Sequence, residues 1–180
     1  MGRFPRPLTA AAILSAALLA VGCGDLKTVS YIAPTSTKLS SYNYVEVATF
    51  ETEVEDVPDE ALDLLPKAVA KEIRKANLGF KQVVWGDEEL PYEKGVFVIF
   101  GTIVDYQPGT ELRAEGGSIK FGEAALTVRL SIVDKATGRE ITNGEINSSS
   151  SLGFLKRGFI TPGVYEAIAR EVVKFIKDNS

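Results

Sequence analysis

The chain has 180 residues, of which 45% are hydrophobic and 24% charged, proportions that exclude wholesale disorder. It holds one Cys and no His, which excludes an intrachain disulfide, a His/Cys zinc site, a Ser-His-Asp triad and a Cys-His dyad. A formal charge of -4 and a pI near 5.0 argue against nucleic acid as a partner.

Residues 1–22 read as a signal peptide. Arg3 and Arg6 open it, and Leu8 to Val21 is an uncharged run of 14 residues. That suits a secretory signal and is short for a membrane-spanning helix, which needs ~20 apolar residues. The run ends in Leu19-Ala20-Val21-Gly22-Cys23, which resembles the bacterial lipobox, with Ala20 where Leu is usual. Cleavage there would leave Cys23 as an acylated N-terminus, held in the bilayer at ~0.8 kcal/mol per buried methylene. Removing residues 1–22 takes away two Arg and no acid, leaving 18 basic against 24 acidic residues. Such an acidic body is repelled by anionic lipid, so the acyl chains would do the holding.

Residues 23–42 are rich in Ser and Thr without periodicity and read as the lipidated Cys followed by a flexible tether. Residues 43–180 then form one domain. Tyr44 to Phe50 is a short strand. Leu62, Leu65, Val69, Ile73 and Ala76 recur at helical spacing. Pro66 is best tolerated in a first turn, so the helix is expected to start near Leu64 with Asp63 as N-cap and to end at Asn77 and Gly79. Phe80 to Trp85 is a second strand. Val96 to Gln107 begins apolar on both faces and should lie centrally. After a Pro108-Gly109 turn and a Gly116-Gly117 loop, a strand runs from about Ile119 to Val133. Leu126, Val128, Leu130 and Ile132 give it one covered face. Asp134 to Gly138 is a hairpin turn, and Arg139 to Ser149 returns as a polar strand. Thr161 caps a last helix from Pro162 to about Lys177. The expected fold is α+β, a single domain with a largely antiparallel sheet of about five strands and two helices on one face.

Few motifs carry chemistry. Glu51, Glu53, Glu55, Asp56, Asp59, Glu60 and Asp63 make an acidic stretch. Its spacing is not that of an EF-hand, and acids suit a helix start, so a solvated cap is expected over a cation site. Ser148 to Ser151 lacks a nucleophile elbow and a His partner. Residues 23–180 contain no phosphate-binding glycine loop, so no cofactor and no metal are expected. Leu152 to Gly163 sets Phe154, Leu155, Phe159 and Ile160 around Lys156 and Arg157 between glycines. It caps the sheet or serves as a partner contact. The exposed edge of the Arg139 to Ser149 strand is a second candidate, open to a partner strand.

The YVEVATF strand, KEIRKANLGF, VFVIFGTIVDYQPGTELR and GEAALTVRLSIVDKATGREI, with the Leu152 to Gly163 loop and a final helix, resemble bacterial lipoproteins of the domain-of-unknown-function family DUF4410. The resemblance covers roughly residues 40–178. A single Arg113 stands where that family commonly has a basic run. The layout is also distantly similar to periplasmic domains of the curli secretion-pore lipoprotein. The resemblance implies an envelope lipoprotein with no assigned activity and no catalytic residues. The expectation is a non-catalytic interaction or assembly module, lipid-anchored through Cys23 and facing the periplasm, at the outer membrane rather than the inner. Its partners would be envelope proteins, and oligomers are possible. The alternative is a carboxylate-based hydrolase or carbohydrate binder.

Overall fold

The computed structural model describes residues 26–107, 113–115, 118–120, 124–150 and 162–180. The elements in chain order are β1 (Leu26–Ile32), a 3-10 turn (Leu39–Ser41), β2 (Tyr44–Ala48), β3 (Glu51–Thr52), α1 (Asp59–Ala76), β4 (Gln82–Gly86), β5 (Val96–Gln107), β6 (Arg113–Glu115), β7 (Ser118–Lys120), β8 (Ala124–Asp134), β9 (Glu140–Ser150) and α2 (Pro162–Asp178). The main sheet runs β1-β9-β8-β5-β2-β4, with β3 also beside β5, while β6 and β7 pair with each other.

The α+β class and the single domain agree with the sequence reading, but the sheet is mixed and has more strands than expected. β2 pairs in parallel with both β4 and β5, whereas β5-β8, β8-β9 and β9-β1 are antiparallel. The reason lies in the connections. Parallel neighbours need a long crossover, and α1 supplies it between β2 and β4. Residues 87–95 then carry the chain back to the start of β5, which again runs alongside β2.

Both helices cover one face. Leu65, Val69 and Ile73 of α1 and Val164, Ile168, Val172 and Ile176 of α2 share a core with Val45, Val47, Phe97, Ile99, Leu126, Val128, Leu130 and Ile146. The period-two pattern of β8 puts Leu126, Val128, Leu130 and Ile132 there. α1 starts earlier than expected, with Pro58 as N-cap and no side-chain cap. Pro66 therefore sits inside the helix, an arrangement that costs ~3 kcal/mol. It is buried in the core beside Leu65 and Ala61, and Asp59 and Glu60 favour the positive helix start. At the other end Asn77 adopts the left-handed conformation at φ 50° and Gly79 follows at φ 87°, as the sequence indicates.

The largest correction concerns the expected tether. Residues 26–32 are β1, paired with β9 from Leu26 beside Ser150 to Ile32 beside Gly144. Thr28 and Ser148 share a side-chain hydrogen bond of 3.1 Å, and Ser30 Oγ donates to Glu171 of α2 at 2.7 Å. The chain then runs to the C-terminal end of α2. Leu39 is buried, and its amide donates to the Asn179 carbonyl at 2.8 Å. Polar side chains hid this strand because backbone pairing, rather than an apolar face, holds it. Deleting residues 26–32 should cost about 3 kcal/mol or more in urea unfolding, through lost pairing and an uncovered β9. A passive tether would cost nothing.

β2 and β3 are one strand with a bulge. Val47 lies beside Ile99 and Glu51 beside Thr102, so β2–β3 holds one residue more than β5 over that step. The slack turns Phe50 inward, where its ring lies on Gly101; a Cβ there would enter the ring. Gly101→Ala should destabilise by about 1–3 kcal/mol. Adding Phe50→Leu should recover part of that loss in the same thermal melt.

Candidate functional site

Among the described residues, the face of the sheet away from the helices is covered on one side only. Residues 87–95 lie over β2 and β4, where Leu90 packs with Val84, Val96 and Tyr44, and Tyr92 stacks on Tyr44 at 4.7 Å. A charged clasp fixes this cover. Glu46 is buried; its Oε1 accepts from Lys135 Nζ and from the Leu90 amide, both at 2.7 Å. Lys135 Nζ also donates to the Leu90 carbonyl at 3.1 Å. The sole buried acid of β2 thus serves to hold the cover down.

Beyond the cover the face is open. The registers align Tyr31, Glu145, Arg129 and Thr102 in a row across β1, β9, β8 and β5. The next row holds Asn143, Ser131 and Phe100. Tyr31 and Phe100 line a shallow groove with Thr102, Arg129 and Glu145. Tyr31 is 73% exposed, Val29 71% and Phe100 45%. Two carboxylates of this face are engaged. Glu53 accepts from Arg129 at 3.1 Å, and Glu140 accepts from Ser131 at 2.8 Å and from Asn143 at 2.6 Å. The Arg129–Glu53 pair is more than half exposed and adds little stability. The arrangement offers aromatic surface with polar, hydrogen-bonding neighbours, a chemistry suited to contact.

A second polar group sits at the far end of β8. Tyr42 Oη donates to Asp134 Oδ2 at 2.8 Å. The Thr137 amide and hydroxyl donate to Asp134 Oδ1 at 2.8 and 2.7 Å. Hydrogen bonds from Thr137 and then Tyr42 hold the Asp134 carboxyl below its usual range. Burial, together with the adjacent carboxylate, pushes the Tyr42 phenol up to about 12. The hairpin turn between β8 and β9 closes with Gly138 at φ 67°, as its Asp134 to Gly138 sequence indicates.

The residues singled out by sequence fare differently. Cys23, Phe154, Leu155, Lys156, Arg157, Phe159 and Ile160 lie outside the described residues, as does the Thr161 cap. The edge of β9 is not open to a partner strand, because β1 occupies it. Among the acidic stretch, Glu53 meets Arg129 and Asp59 and Glu60 begin α1. No group of three or more potential metal ligands converges among the described residues. Val29, Tyr31 and Phe100 were missed. Phe100 was concealed by the doubly apolar start of β5, which signals burial on both faces.

No family model and no curated protein matches the chain. Solved structures do. PelC from Paraburkholderia phytofirmans, a dodecamer, matches with a TM-score of 0.55 at 12% identity, over 83% of this chain and 96% of that one. A PelC variant from the same organism gives 0.53 at 14% identity, over 86% and 97%. Lipoprotein GNA1162 from Neisseria meningitidis gives 0.43 at 14% identity, over 76% and 99%. At such identities the PelC likeness shows a shared fold.

Two outcomes test these groups. Lys135→Ala should cost about 2–4 kcal/mol by stranding the Glu46 charge, less than for a fully buried pair because Lys135 is partly exposed. Hydrogen exchange at the Leu90 amide should rise with it. For the turn, the Asp134 contribution is present above the ordinary carboxylate range and lost as pH falls through the lowered value. The Tyr42 contribution is present below the ordinary phenol value of 10.0 and fades as pH rises towards about 12. Tyr42→Phe should therefore weaken both limbs of the pH–stability profile, and NMR titration should show the Asp134 value rise.

Proposed function

We infer that this protein is a lipid-anchored bacterial envelope lipoprotein that works without catalysis, as an interaction module of the DUF4410 type. The observation that carries the reading is the open sheet face, where Val29, Tyr31 and Phe100 are exposed beside the engaged carboxylates Glu53 and Glu140. A hydrolase of the two-carboxylate kind uses one acid as proton donor and the other as base or nucleophile. Ion pairing and side-chain hydrogen bonds occupy these two instead. The lipobox at Cys23 supports the anchor, and with it a periplasm-facing domain at the outer membrane. The dodecameric state of PelC supports self-association as one mode of contact. The Leu152 to Gly163 segment, with Phe154, Leu155, Phe159 and Ile160 around Lys156 and Arg157, is a second contact by sequence.

Photocrosslinkers placed at Tyr31 and Phe100 in native envelopes test this. They should give discrete adducts, with this chain or with another envelope protein, that a crosslinker at Ala136 does not. Tyr31→Ser with Phe100→Ser should stay folded and lose the partners captured from neighbouring face positions. Monomer alone from every face position would overturn the reading. Cys23→Ser should abolish palmitate labelling and release the protein from membranes.

A further inference from the structure

The anchor and the fold are separated by almost nothing. β1 is paired with β9 from its first residue, Leu26 beside Ser150, and Cys23 lies three positions earlier. Three residues reach at most about 11 Å. The seven-residue β1 is fastened into the sheet and tied by Ser30 to α2, so it cannot pay out as a line.

The register then decides which part of the domain lies lowest. Lys27, Ser149, Ala125 and Gln107 form one row across β1, β9, β8 and β5. Leu26, Ser150 and Ala124 form the terminal row. At the opposite end of β8 is the Asp134 to Gly138 turn, roughly 33 Å away along the strand. The first two residues of β1 suit a headgroup layer. Leu26 is a large exposed apolar side chain and Lys27 an exposed cation. A basic group at an anionic surface adds about 1 kcal/mol.

Charge also selects between standing and lying. Laying the β1 edge flat would bring Glu145, opposite Tyr31, against the lipid, whereas Glu171, bonded to Ser30, is offset by Lys174 at 3.9 Å. The acidic start of α1 at Asp59 and Glu60 follows β3, which passes Thr102 and Ile103 midway along β5 and runs toward its Gln107 end. β3 extends the line of β2, about 19 Å from β1 across the sheet. Repulsion there lifts that side and leaves the β1 corner lowest.

We propose that the domain stands directly on the bilayer, with the Leu26–Lys27 corner of the sheet in the headgroup layer and the Asp134 to Gly138 turn pointing away. This rests on acylation of Cys23 and adds the surface and direction of contact. The open face then stands upright beside the membrane, and partners reach it from the side.

The test uses full-length acylated protein in phosphatidylethanolamine–phosphatidylglycerol vesicles. Single spin labels go to Gln107, Tyr31 and Ala136, and headgroup-chelated nickel reports proximity. Relaxation should be several-fold stronger at Gln107 than at Tyr31, and at Ala136 it should equal that of an unanchored control. A ten-residue Gly/Ser spacer placed after Gly24 should leave flotation intact and abolish the Gln107 effect. If the protein is acylated and floats, equal relaxation at Gln107 and Tyr31, strong relaxation at Ala136, or no effect of the spacer overturns the orientation alone. Absence of acyl mass on Cys23 together with loss of flotation overturns the anchor reading and the orientation with it.

Discussion

Everything in this domain is arranged around β5. It alone joins the parallel half of the sheet to the antiparallel half, with β2 on one side and β8 on the other. Phe97, Ile99 and Ile103 face the helices, while Val96 and Val98 are buried on the opposite side. A strand covered on both faces leaves no room for error in register, because a slip of one residue exchanges its faces. Gly101 and Phe50 fix that register sterically at the bulge. The helices, the 87–95 cover and the open groove all take their positions from this seam.

The two halves are held by different chemistry. On the β2–β4 side apolar side chains and α1 dominate, and Arg74 reinforces the border. Its Nε donates to the Val83 carbonyl at 3.0 Å while its guanidinium lies 4.5 Å over the Trp85 ring. Part of the β4 backbone is thus capped by a side chain, which blunts that edge against unwanted pairing. On the β9–β1 side few apolar side chains are buried, Ile146 among them. Ser148, Ser150 and Thr142 are buried polar residues, and they persist because backbone and hydroxyl partners are at hand.

This contrast explains what the sequence made legible. Strands with apolar patterning, such as Val96–Gln107 and the Leu126 to Ile132 alternation, could be read directly, as could the Asp134 to Gly138 turn and the end of α1. β1 could not, since Leu-Lys-Thr-Val-Ser-Tyr-Ile has no face to declare and its partner lies far along the chain. The start of α1 was displaced because a local rule about Pro66 was outweighed by burial. Parallel pairing was invisible because it depends on where a loop returns. The site was legible only as far as its exclusions: the missing His bounds the chemistry, whereas Tyr31 and Phe100 gain meaning only when registers bring β1 and β5 to one face.

The pairing of β1 with β9 also sets a timetable. Thr28 and Ser148 are 120 positions apart, so the first strand made waits for nearly the last. The two edge strands of the antiparallel half therefore pair only after the intervening chain has been brought into place. Closing so long a loop is slow, although the entropy penalty grows only gently with length. During that wait β1 is an unpaired strand with Val29 and Tyr31 exposed and its backbone groups unsatisfied. Folding chains are consequently most exposed to strand exchange before β9 arrives.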